Sequence, residues 1–203
     1  MSPKPNLVFV PGSWHGPECY SKVVALLEPQ GFNSAIQGFT SASAKGRVVG
    51  MVYMATGFNP AGVKMSFLGG LGGKPPPLWK MNEETGFAEI VVDSREMFYN
   101  NLPEDEGNAL VAKLRKQSLA SLTEASELAY AGWMDVPVWY LATVQDKGLP
   151  VEAQRMFVQM AKDAGGDVTL EEADSSHSVM LSKPKETAEF IVRAVAAFEG
   201  KKE

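Results

Sequence analysis

Leu7-Val8-Phe9-Val10 is a run of apolar, β-branched and aromatic residues that Pro11-Gly12 halts at once. Such a run reads as a short strand buried on both faces and ending in a tight turn, and a parallel sheet is its natural setting. Behind the turn, Tyr20, Val23, Val24 and Leu27 recur at helical spacing until Pro29-Gln30-Gly31 closes the run. The unit is therefore strand, glycine turn, helix. Backbone N–H groups at the turn face outward from the carboxyl end of the strand, where open α/β sheets bind their ligands.

The same rhythm continues downstream. Phe32–Gln37, Arg47–Ala55 (RVVGMVYMA), Pro137–Thr143 and Val168–Glu171 read as strands, and Pro150–Ala164 and Pro184–Phe198 as helices, the last with Phe190, Ile191, Ala194 and Phe198 on one face. This alternation implies a mostly parallel sheet with helices on both faces. One step breaks it: parallel neighbours need a crossover of about a dozen residues or more, and the connector Gly38–Gly46 supplies only nine. Between Thr56 and Trp79, Gly69-Gly70, Gly72-Gly73 and Pro75-Pro76-Pro77 exclude a long helix. Glu89–Val92 reads as a short extended piece. Pro103 followed by Glu104, Asp105 and Glu106, with Lys113, Arg115 and Lys116 after them, predicts a helix whose charges complement its dipole.

At 203 residues and 45% hydrophobic content the chain suits one domain that buries its own core. A net charge of −5 offers no basic footprint for nucleic acid or anionic membrane. Cys19 is the single cysteine and cannot form an internal disulfide; no stretch reads as a leader or a membrane span. These features point to a cytoplasmic protein whose partner is a small molecule, with no cofactor and no metal implied.

His177 is the strongest candidate for chemistry. It lies in Asp174–Pro184, a few residues past the last strand, where a loop can hold an imidazole over the sheet's carboxyl edge. Asp146 follows a strand and precedes a proline-started helix, a place that suits the carboxylate orienting a catalytic histidine; an aspartate there also serves as a turn former through bonds to backbone N–H groups. No G-x-S-x-G-like elbow, the strained turn that raises a nucleophilic serine above a sheet, occurs anywhere: Ser13, Ser41, Ser43 and Ser66 all lack the flanking pattern. Cys19, inside an apparent helix, reads as a packed hydrophobe. His15 reads as a brace for the first turn, and Trp79 and Trp133 as pocket walls.

Phe9–Gly16 (FVPGSWHG) resembles the first strand and turn of the α/β-hydrolase fold, in the branch of methyl-salicylate esterases and hydroxynitrile lyases. The histidine loop, the Asp146-to-Pro150 segment and the stretch MFYNNLPEDEGNALVAKLRKQSLASLT resemble that branch as well. The resemblance implies an oxyanion-binding turn at Gly12, Ser13 and Trp14, with the Ser13 backbone amide as donor, although Pro11 replaces a histidine common in the family. It implies a triad of which Asp146 and His177 are present, and a lid insertion over about 58–133 within a single domain, 1–203. It also implies that the central strand, elbow and following helix, on the order of 50 residues given about 30 for one βαβ unit, are absent between Gln37 and Arg47. The strand at Leu7–Val10 must then pair directly with Arg47–Ala55 or leave an edge unpaired, with reduced stability expected.

The functional expectation is a hydrolase of small esters or carbonyl metabolites that lacks a recognisable nucleophilic serine. Two alternatives stand beside it: a non-catalytic binding protein or truncated isoform, and a cofactor-free lyase or isomerase using His177 as general base. Sequence does not fix the oligomeric state.

Overall fold

Apolar strand runs and amphipathic helices build this fold, and a computed structural model describes residues 4–36, 47–124 and 126–200 of it; the connector Gly38–Gly46 lies outside them. The strands are β1 (Leu7–Phe9), β2 (Ser34–Ile36), β3 (Met51–Met54), β4 (Trp79–Asn82), β5 (Phe87–Ile90), β6 (Gln117–Ser118), β7 (Val138–Thr143) and β8 (Val168–Ala173). The α-helices are α1 (Ser21–Leu27), α2 (Phe67–Gly70), α3 (Ser94–Tyr99), α4 (Glu104–Val111), α5 (Ala120–Thr123), α6 (Val151–Asp163), α7 (Val179–Ser182) and α8 (Pro184–Gly200).

Parallel pairing dominates, in two separate pieces. β1 pairs with β2, Phe9 opposite Ile36, and β3, β7 and β8 form a second parallel sheet in that order. Side chains alternate across β7, as a strand's period of two requires. Val138, Tyr140 and Ala142 pack with Val158 and Ala161 of α6, while Leu141 packs with Val179 and Phe190 on the opposite face. Beneath the other face, Phe9 of β1 joins Val23 and Leu27 of α1 and Ile191 and Val195 of α8, and Val52 and Met54 of β3 pack on the same cluster. Both pieces thus rest on one helical layer.

Among the described residues β1 and β3 make no ladder with each other. Direct pairing, the first of the two outcomes that the short connector allows, is thus not found among the described residues. Val8, in the middle of β1, is 62% exposed. β3 is also shorter than the apolar run Arg47–Ala55 suggests: its pairing to β7 starts at Met51 opposite Val138, so Arg47–Gly50 have no ladder to join.

The segment 58–133 contains a small antiparallel sheet that the sequence only partly foretells. β4 pairs with β5 through Trp79 opposite Ile90 and Asn82 opposite Phe87, and β6 adds to β5. The extended piece at Glu89–Val92 is therefore centred two residues earlier, and the loop ending at Trp79 carries the short helix α2 and leads into a strand. The acidic residues fall in the first turn of α4 as predicted, but that helix ends at Val111 with no basic residue in its last turn. Lys113, Arg115 and Lys116 lie beyond it, because the Arg115 N–H turns away to donate to the Trp14 carbonyl at 2.8 Å. Among the described residues, no helix is long and apolar enough to cross a membrane.

Candidate functional site

Two loops at the carboxyl ends of β7 and β8 bring Asp146 and His177 together: His177 Nδ1 lies 2.8 Å from Asp146 Oδ2. The carboxylate is fully buried and held by four further donors. Oδ1 accepts from the backbone N–H of Gly148 at 2.8 Å and of Leu149 at 2.7 Å. Oδ2 accepts from the Thr143 hydroxyl at 2.9 Å and from Gln154 Nε2 at 3.0 Å. One oxygen of Asp146 thus holds the turn and the other meets the histidine. With every other partner a donor, the carboxylate is an acceptor throughout, so His177 Nδ1 donates, and in the neutral imidazole Nε2 is the nitrogen that carries the lone pair. The imidazole is 27% exposed, so the free nitrogen belongs to a partly open site.

Helix α3 holds both loops. Asn100, at its end, donates to the Gln145 carbonyl at 3.1 Å, and Glu96 pairs with Lys147. The Ser178 N–H donates to the Phe98 carbonyl at 3.2 Å. The Phe98 ring then packs against His177 at 5.5 Å and His15 at 5.0 Å between centroids.

The first turn lies on the other side of that ring. His15 Nδ1 is 2.9 Å from the Ser13 carbonyl, which can only accept, so Nδ1 carries the proton. Nε2 then accepts from the Tyr99 hydroxyl at 2.9 Å. Burial, opposed by the Ser13 carbonyl and reinforced by the nearby His177, holds the His15 pKa below its ordinary value. His15 thus ties the turn to α3. The Ser13 N–H has no partner among the described residues, and a side chain at Gly12 would meet nothing within 4 Å. Trp14 takes a left-handed φ of 61°, a conformation costly for a bulky residue. Three bonds over-determine it: its N–H to Gln117, its indole N–H to the Ala88 carbonyl, and its carbonyl from Arg115.

Other candidates fall elsewhere. Trp79 and Trp133 are buried at 5% and 3% exposure, Trp79 with Leu68 and Leu122, Trp133 beside Val138 and Val158; both are core residues, and Trp14 is the tryptophan that lines open clefts. Burial pushes the Cys19 thiol up to about 12, which suits a packed hydrophobe. Among the described residues no serine hydroxyl is hydrogen-bonded to His177, and no group of three His, Cys, Asp or Glu side chains could hold a metal ion; Ser41 and Ser43 lie outside the described residues. Sequence reading missed Thr143 and Gln154. The signal for Gln154 was its place on the stripe Val151, Val158, Ala161 of α6, where a surface glutamine does not belong.

Parallel strands layered between helices, with an acid–histidine pair on the loops after two of them, define a protein of α/β-hydrolase architecture. The chain belongs to the alpha/beta hydrolase family, whose sequence profile matches residues 34–190. Solved structures of the same fold include a pyrethroid hydrolase from Sphingobium faniae, at 18% identity and a TM-score of 0.67, covering 95% of this chain and 97% of that chain. Polyneuridine aldehyde esterase matches at 16% identity and a TM-score of 0.70, covering 94% of this chain and 98% of that one. A mutant of tomato methylketone synthase I matches at 15% identity and a TM-score of 0.69, with 96% and 99% covered. Among curated proteins, none matches the sequence closely enough to count as a relative.

Proposed function

We propose that the protein acts on a small ester or carbonyl metabolite by general-base chemistry at His177, without a covalent acyl-enzyme. The supporting observation is the Asp146–His177 pair, which leaves Nε2 as a proton acceptor. In a hydrolytic cycle Nε2 takes a proton from water as its oxygen attacks the carbonyl carbon, and the Ser13 N–H stabilises the oxyanion. The imidazolium, held by Asp146, then returns the proton to the departing alkoxide as the acyl–oxygen bond breaks. In a lyase or isomerase cycle the same nitrogen takes a proton from the substrate and returns it to the product. The segment 58–133 serves as the lid of this site, with α3 as the part that touches both loops.

His177→Ala should abolish turnover, and Asp146→Asn should lower it by several orders of magnitude, on the order of 10⁴-fold, through the wrong tautomer. Mass spectrometry during turnover should find no acyl adduct; an adduct, or full activity in both variants, overturns the mechanism. A second reading, small-molecule binding without turnover, draws on the lack of a serine hydroxyl bonded to His177 among the described residues. Ligand binding that survives both substitutions while no substrate turns over would decide for it.

A further inference from the structure

A cleft of about 350 Å³ opens between β5 and the residues that follow α4, within the size range of small-molecule sites, about 300–1,000 Å³. Neither Asp146 nor His177 lines it. Its walls are Trp14, Phe87, Ile90, Val111 and Leu114, none of them fully buried. The strained Trp14 backbone and its indole N–H are both bonded to this small antiparallel unit, so the floor of the cleft is fixed rather than free to collapse.

Charge around the cleft is unbalanced. Arg115 is neutralised by Glu18 at 3.0 Å, and Glu89 is satisfied by Lys80 at 3.2 Å and Asn82 at 2.6 Å. Lys116 is left with an aromatic partner alone: its ammonium sits 4.8 Å from the centroid of the Phe87 ring and makes no ion pair among the described residues. A cation held over an aromatic face can still take an anion, and here it stands beside partly exposed apolar walls.

We propose that this cleft is a binding site for a small amphipathic monocarboxylate, its apolar body against Trp14, Phe87 and Leu114 and its carboxylate paired with Lys116. The site is separate from the His177 dyad and does not depend on how that dyad works. Because Trp14 adjoins Ser13 and His15, a ligand here bears on the turn that carries the Ser13 N–H.

Isothermal titration of the full chain with octanoate tests the proposal, with octanamide as the neutral counterpart. Octanoate should bind more tightly than octanamide, and added salt should weaken octanoate alone. Lys116→Met should weaken octanoate by about tenfold, the size of one modest charge contact, and leave octanamide unchanged; Phe87→Ala should weaken both. His177→Ala should bind octanoate as the parent does. No binding, equal affinity for the two probes, an unchanged octanoate affinity in Lys116→Met, or loss of binding in His177→Ala overturns the proposal, the last by placing the ligand at the dyad.

Discussion

Gln154 Nε2 lies 3.0 Å from Asp146 Oδ2, reaching it from inside helix α6. The same side chain accepts the Thr143 N–H at 3.1 Å through Oε1 and donates to the Leu149 carbonyl at 2.7 Å. One buried amide therefore ties the end of β7, the acid loop and the following helix around the carboxylate. Gln154→Leu fills a similar volume but strands the Thr143 N–H and the Leu149 carbonyl. It should cost about 1–3 kcal/mol per stranded group, read as a lower urea midpoint, and should depress His177-dependent turnover as the carboxylate loosens. An unchanged midpoint would show that water replaces the amide without loss.

The buried His15 gives stability a pH dependence of definite sign. Its folded-state pKa lies below the free value of 6.5, so the unfolded chain takes up a proton that the folded chain resists. Its contribution is complete above that free value and is lost as the pH falls through the folded-state pKa. Urea midpoints should drop as the pH is lowered below the free value of 6.5, and His15→Asn, which keeps a donor for the Ser13 carbonyl without a titrating ring, should flatten that part of the curve. The same slope in the variant would assign the effect to other groups.

Cys19 supplies a check on the core around α1. It is 5% exposed, and its thiol is pushed up to about 12, so almost no thiolate exists at neutral pH. A thiol reagent should label it only as fast as the chain opens, with full labelling in denaturant. Rapid labelling of the folded protein would mean that the helix α1 layer is not closed.

The sequence is most legible where burial and periodicity agree. The run through Val138–Thr143 becomes a strand with both faces covered, and Asp146 and His177 are readable because each follows a strand at the sheet's carboxyl edge. β4 is harder to read: Trp79-Lys80-Met81-Asn82 alternates apolar and polar residues, but only over four positions soon after Pro75-Pro76-Pro77, and it becomes a strand through its partner β5, across a turn that uses Gly86 at a φ of 73°. Gln154 is legible in sequence only as a polar residue on the apolar stripe Val151, Val158, Ala161; which groups it meets there is decided by tertiary packing. The basic run after Val111 resembles a helix end in sequence, whereas contact with Trp14 and Phe87 decides its conformation.

The most informative measurement follows from the sides of β1 and β3 that carry no strand partner among the described residues. In a parallel ladder, alternate N–H groups along a strand face opposite neighbours. Met51 and Ala55 donate toward β7, to the Pro137 and Leu141 carbonyls at 3.0 and 3.2 Å, so Tyr53 faces β7 too and the N–H groups of Val52 and Met54 face the other side. Leu7 donates to Asn33 at 2.9 Å, which puts Phe9 toward β2 and Val8 and Val10 on the other side. Amide exchange followed by NMR should therefore alternate: slow at Tyr53 and Phe9, fast at Val52, Met54, Val8 and Val10. Edges without a strand partner invite further pairing, so Val8→Lys should reduce any concentration-dependent association seen by sedimentation while leaving the urea midpoint nearly unchanged. Uniformly slow exchange at all six positions in the monomer would mean that another strand fills the gap, and the interrupted sheet would have to give way to a continuous one.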